Sequence, residues 1–252
     1  MTSYKLEEFT FTSHILQSSL NIKIAVPNLA IPLTSIYLLD ANYFFDDSPG
    51  YLDDLLVRGP GMLSIVQVLT TEKKIPPSIL IGIGYTEEQR DPYTRDHADL
   101  FYMFIKDELI PYIEDHYPVS KHGKDRVLFG YSSSGHFSMY ALMDDVLNYQ
   151  TTFGKFISIA GVYYPWLLAY QIEEKINEEN QAFSFAGKKL YMAIGSNDEK
   201  ERLRKHYHPF VKKLKERNYQ NFHWINEIYD GYSHYDIPEI AFQNGLIWLF
   251  SE

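Results

Sequence analysis

A set of short, almost uninterrupted apolar runs, each closed by turn chemistry, constrains this chain more than any other feature. Ser35–Leu39, Ser78–Ile83, Phe156–Ala160 and Lys189–Ile194 carry this signature, and Phe222–Ile228 gives one more. Such runs suit strands covered on both faces, which implies a largely parallel sheet between layers of helix. Lys5–Thr12 and Asn21–Val26, around the polar break Gln17–Ser19, read as a pair of N-terminal strands. Between the runs, Leu100, Phe101, Phe104, Leu109, Ile110 and Ile113 recur at helical spacing until Pro118 closes the helix. Ser134 to about Leu147 and Ile237–Phe250 show the same stripe. The alternation predicts an α/β fold with a mostly parallel sheet and helices on both faces. No repeat or long linker divides residues 1–252, so one domain is expected. Within it, residues 162–187 hold Tyr163, Tyr164, Trp166, Tyr170 and a charged helical piece, Ile172–Asn180, and are expected to form a small cap after the sixth strand.

Composition narrows the chemistry. With no cysteine, a disulfide framework, a zinc-ribbon site, a cysteine nucleophile and a CxxC redox centre are all excluded. The 33 acidic and 23 basic residues leave a net charge of −10, which disfavours nucleic acid or an anionic membrane as the main partner. Met1 to Glu8 offers no basic stretch leading into an apolar one, and no run of about 18 apolar residues occurs. A soluble cytoplasmic protein is the expectation. Aromatic residues make up 16% of the chain, with 21 tyrosines.

Strand Arg126–Phe129 runs straight into Gly130, Tyr131, Ser132, Ser133, Ser134 and Gly135, and then into a helix. A serine on so tight a turn has its hydroxyl pushed clear of the backbone, while the next N–H groups aim at the same spot from a helix N-terminus. That is the pattern of a nucleophile elbow. Two registers compete: Ser132 has Gly130 two residues before it and Ser134 two after, whereas Ser133 has Gly135 after it but bulky Tyr131 before it. The position of the strand end favours Ser132. A plain glycine–serine turn capping the helix is the alternative.

Later segments supply partners in the order serine, acid, histidine that α/β-hydrolases use. Strand Lys189–Ile194 leads to Gly195, Ser196, Asn197, Asp198 and Glu199; strand Phe222–Ile228 leads to Asp230, Gly231, Tyr232, Ser233 and His234. His234 is expected to take and return the proton of Ser132, with Asp198 orienting the imidazole. Glu199, Asp230 or a dyad without an acid are alternatives. The oxyanion is expected to meet the backbone N–H of Ser133 and a second donor among Ala41, Asn42 and Tyr43. His206 and His208 are spaced by two and followed by Pro209, which predicts that they precede a helix and hold no metal. His136 follows the elbow too closely to act on Ser132 from the opposite side.

The succession LLDANYFFDD, LIGIGY, RDPYTRD, FIKDELIPYIEDHY, RVLFGYSSSG, IGSNDE and DGYSHYD resembles, over nearly the whole chain, an esterase family. That family takes in esterase D (S-formylglutathione hydrolase), feruloyl esterases, mycolyltransferases and siderophore trilactone esterases. Gly82, Ile83, Gly84, Tyr85, Arg90, Tyr93 and Thr94 match most closely the siderophore branch. The family elbow usually reads G-x-S-x-G-G, so Ser134 departs from it. The resemblance implies an α/β-hydrolase fold and serine-dependent cleavage of a small-molecule ester without cofactor or metal, carried by Ser132 and His234 with an acid near Asp198. Acyl transfer with the same residues, and a non-catalytic module on the same fold, are the rival readings. Arg90, Tyr163, Tyr164 and Trp166 are the candidate substrate contacts.

Overall fold

The computed structural model describes residues 3–29, 31–47, 50–52, 55–57, 61–178, 183–198 and 201–251. Strands β1 (Tyr4–Ser13) and β2 (Ser18–Pro27) form the expected antiparallel pair, followed by β3 (Thr34–Leu38), the short helix α1 (Ala41–Phe44) and a small hairpin of β4 (Gly50–Leu52) and β5 (Leu55–Val57). Next come α2 (Met62–Thr71), β6 (Ser78–Gly84) and α3 (Glu87–Asp91), which continues into a π turn over Pro92–Asp96. Helices α4 (Ala98–Phe104) and α5 (Ile110–His116) run on from each other through a second π turn, Ile105–Leu109. The remainder is β7 (Arg126–Tyr131), α6 (Ser133–Leu147), β8 (Lys155–Ile159), α7 (Leu168–Glu178), β9 (Lys189–Gly195), α8 (Glu201–Arg217), β10 (His223–Tyr229) and α9 (Ile237–Phe250).

The main sheet has the order β1-β2-β6-β3-β7-β8-β9-β10, antiparallel across β1, β2 and β6 and parallel from β6 to β10. Every residue of β3, β6 and β7 is buried, as their largely apolar sequences predict. Helices α2 and α9 pack together on one side; α4, α6 and α7 cover the other. Parallel strands end together, so the turns after β3, β7, β9 and β10 gather at one edge of the sheet. In open parallel sheets this is the edge at which ligands bind. Among the described residues, no helix is long and apolar enough to cross a membrane.

Helix α7 lies against α6, and its buried Glu173 is bound by Lys213 and Arg217 of α8. The segment expected to form a cap thus contributes to the helical layer; residues 179–182 of it lie outside the described residues. Helix α8 corrects one expectation, because it starts before His206 and His208 and runs through Pro209.

Candidate active site

Strand β7 ends at Tyr131 and α6 begins at Ser133, so Ser132 alone makes the turn, at φ 57° and ψ −114°. A residue with a Cβ held there costs on the order of 1–3 kcal/mol and persists only if its surroundings fix it. They do. The Ser132 N–H donates to the Ile159 carbonyl (2.8 Å), and the Ser132 carbonyl accepts from the N–H groups of His136 (3.2 Å) and Val162 (3.3 Å). A Cβ on Gly130 would lie 1.9 Å from the Ser134 carbonyl oxygen, and one on Gly135 would lie 2.9 Å from that of Ile159. Close backbone approach therefore demands glycine at both places.

The neighbouring hydroxyls are turned to other tasks. Thr94 Oγ1 gives its proton to the Arg90 carbonyl (2.6 Å), so across the 2.7 Å contact with Ser133 Oγ it is Ser133 that donates. Ser134 Oγ accepts from the Tyr131 N–H (2.7 Å) and reaches the Asp40 carboxylate at 2.5 Å. His136 is fully buried, donating from Nδ1 to the Thr94 carbonyl (2.8 Å) and accepting at Nε2 from the Ala169 N–H (3.2 Å). Burial pushes its pKa down to about 4, so it stays neutral and binds the start of α6 to its neighbours.

The turns after β9 and β10 are laced together. Ser196 N–H donates to the Tyr229 carbonyl (2.9 Å), Asn197 N–H to that of Tyr232 (3.0 Å), and Asn197 Nδ2 to that of Gly231 (3.2 Å), where φ is 79°. This brings Asp198 Oδ2 to 2.9 Å from His234 Nδ1, with both side chains buried. A carboxylate there accepts, which puts the imidazole proton on Nδ1 and leaves Nε2 basic. Tyr131, the residue before Ser132, donates its hydroxyl to the His234 carbonyl (2.7 Å) and packs its ring 4.9 Å from the imidazole. Of the alternative acids, Asp230 is exposed and accepts from Ser196 Oγ (3.1 Å), and Glu199 lies outside the described residues.

After β3, Asp40 takes a left-handed conformation (φ 57°, ψ 36°) and turns the chain into α1. The Tyr43 N–H already donates to the Asp40 carbonyl (3.0 Å), which corrects its place among the oxyanion donors. Ala41 and Asn42 occupy the first turn, where N–H groups have no partner within the helix. The fully buried Asp40 carboxylate takes Arg90 Nε on Oδ1 (2.7 Å) and Nη2 on Oδ2 (3.3 Å), and the Tyr85 hydroxyl on Oδ1 (2.8 Å). Burial alone would lower the Arg90 pKa; the Asp40 charge and its hydrogen bonds outweigh this and raise it.

Arg90, an expected substrate contact, places Nε and Nη2 on Asp40 and donates from Nη2 to the Tyr131 carbonyl (3.3 Å) as well. The expectation that Tyr163 meets substrate is corrected. Its ring is buried in the core, stacked 4.4 Å from Phe210, with its hydroxyl bound to Ser158 Oγ. Tyr164 and Trp166 stay at the surface, stacked at 4.7 Å with Trp166 65% exposed, on the loop whose Val162 N–H holds Ser132. The Asp40–Arg90–Tyr85–Ser134 cluster is invisible to sequence spacing. Its single hint is the charged Asp40 ending an apolar run. Among the described residues, no group of three or more His, Asp or Glu side chains is set to hold a metal ion.

A parallel sheet with an elbow after β7, an acid after β9 and a histidine after β10 is the architecture of the α/β-hydrolases. The solved structures bear out that fold: an IroE-like serine hydrolase from Shewanella oneidensis superposes with a TM-score of 0.76 at 22% identity, over 98% of this chain and 80% of that one. An S-formylglutathione hydrolase (FrmB) from Staphylococcus aureus gives 0.68 at 15% identity, over 99% and 98% of the two chains. The chain belongs to the Putative esterase family, whose pattern matches residues 13–242. It is also 26% identical to the uncharacterized protein YbbA of Bacillus subtilis (strain 168) over 223 residues, 80% of this chain and 85% of that protein. Family membership supports ester hydrolysis.

Proposed function

We propose that the protein is a serine carboxylesterase that works through an acyl-enzyme on a small-molecule ester. The observation that carries this reading is the buried His234–Asp198 pair, fastened through Tyr131 to the strained turn at Ser132. Ser132 Oγ attacks the ester carbonyl as His234 Nε2 takes its proton, and Asp198 holds the tautomer and stabilises the imidazolium. The tetrahedral oxyanion lies between the Ser133 N–H and that of Ala41 or Asn42. Collapse expels the alcohol, which leaves with the proton from His234; water activated by the same nitrogen then releases the acid and restores Ser132. Tyr164 and Trp166 supply an apolar wall for the substrate. These steps use only side chains and backbone amides of this chain, with no cofactor or metal. The cysteine-free, acidic composition suits a cytoplasmic enzyme.

Hydrolysis of short-chain p-nitrophenyl esters tests the assignment. Ser132→Ala is expected to lower kcat by roughly 10⁴-fold or more. Equal activity in the two proteins overturns it.

A further inference from the structure

We propose that Asp40 is a positioning residue that fixes the oxyanion-donor turn against the nucleophile turn, with Ser134 as its link to the elbow; this rests on the serine-esterase reading above. Two segments must keep their relative placement for that chemistry: Tyr131–Ser133, which carries the nucleophile and one donor, and Asp40–Asn42, which carries the other. Both contain a non-glycine residue at positive φ, Ser132 and Asp40, each at 57°. Asp40 takes the left-handed region that aspartate visits in single turns, whereas Ser132, at ψ −114°, lies outside the favoured regions and depends on its contacts.

One carboxylate is tied to both segments. Asp40 starts its own turn, and its N–H donates to the Tyr85 hydroxyl (3.2 Å), which returns its proton to Asp40 Oδ1 (2.8 Å). Toward the elbow the carboxylate reaches the Tyr131 peptide groups from two directions. Ser134 Oγ accepts from the Tyr131 N–H (2.7 Å) and, having one proton, gives it to the stronger acceptor, the ionised Asp40 Oδ2 at 2.5 Å, in preference to the Tyr131 carbonyl at 2.9 Å. Arg90, held on Asp40 through Nε and Nη2, also donates from Nη2 to the Tyr131 carbonyl (3.3 Å). The residue directly before the nucleophile is thus bound at both its N–H and its C=O by groups that converge on Asp40. Charge-assisted bonds between buried groups are short and directional, which suits them to hold two backbone turns in register.

A serine where the elbow pattern has glycine is therefore more than a small substitute. Its hydroxyl joins the two halves of the site. Loss of that link leaves Ser132, His234 and Asp198 chemically intact and lets the donors drift relative to the carbonyl. A misplacement of about 1 Å costs on the order of 100-fold in rate.

The test uses Ser134→Ala and Ser134→Gly, checked for folding by thermal melting, with p-nitrophenyl ester kinetics, inhibition by a phenylboronic acid that forms a tetrahedral adduct on the serine, and the rate of fluorophosphonate labelling. Expected in whichever variant folds is a fall in kcat of about 10- to 100-fold, with KM within about twofold. The boronate inhibition constant should rise, and the labelling rate fall, by a similar factor. Asp40→Asn should fall at least as far. Unchanged kcat, boronate affinity and labelling in the folded Ser134 variants overturn the proposal, as does a loss confined to KM. If Ser132→Ala keeps wild-type activity and labelling, it is the serine-esterase reading that fails. Inactive Ser132→Ala beside unaffected Ser134 variants removes this proposal alone.

Discussion

At its first turn α6 presents Ser134 to the buried carboxylate of Asp40, which Arg90 and Tyr85 also bind; at its last turn it presents Asp145, a buried carboxylate bound by Lys188 (2.6 Å), the Tyr102 hydroxyl (2.6 Å) and the Phe153 N–H (3.1 Å). The parts are nearly the same at both ends: one carboxylate, one cation, one tyrosine. What differs is the chain they join. Asp145 ties α6 to α4, to Phe153 and to Lys188 before β9, all packing elements. Asp40 ties α6 to the turns that carry Ser132 and Ala41. The cations differ accordingly. Burial lowers the Lys188 pKa despite Asp145, whereas Arg90 keeps its charge and has donors enough for both the carboxylate and the Tyr131 carbonyl. Similar buried networks can thus serve stability at one end of a helix and geometry at the other.

The sharpest separation comes from Lys188→Met. Leaving Asp145 buried without its cation should cost about 3–5 kcal/mol of unfolding free energy. In denaturation and ester assays run side by side, kcat per folded molecule should stay within about twofold; a collapse of kcat in folded protein would erase the contrast between the two ends.

The near end also carries an acid-side pH dependence at His136. His136 has a folded pKa of about 4 against an ordinary value of 6.5, so its contribution to stability is complete above pH 6.5 and is lost as the pH falls toward 4. At about 1.36 kcal/mol per pH unit the group accounts for about 3 kcal/mol over that window. Urea titrations at several pH values should show a flatter acid limb for His136→Gln than for wild type. Parallel limbs would mean that the imidazole is charged in the folded protein.

A smaller effect is expected from Thr94→Val, which removes the acceptor of the Ser133 hydroxyl and should cost about 1–2 kcal/mol. Thr94→Ser, which keeps the acceptor, should fall near wild type by thermal melting. Equal losses in both would point to packing of the methyl group instead.

How far the sequence reaches depends on whether a property is local. The strands were legible because burial on both faces leaves an unbroken apolar run, and the order of elbow, acid and histidine follows directly from the order of those strands. The start of helix α8 differs from the expectation because proline normally opens a helix, and here a long amphipathic segment carries Pro209 inside. Tyr163 is expected from its aromatic neighbours to meet substrate. It folds back over Gly161, where a Cβ would stand 2.4 Å from its hydroxyl. Arg90 and Asp40 are 50 residues apart in the chain, and only the neighbouring placement of β3, β6 and β7 brings them together. Local pattern could locate the elbow; the network beneath it needed the fold.

The most direct test of the central claim is to treat the protein with a fluorophosphonate and map the adduct by peptide mass spectrometry. One adduct is expected, on Ser132 and absent from Ser132→Ala. An adduct on Ser133 or Ser134, or no adduct in active protein, would contradict it.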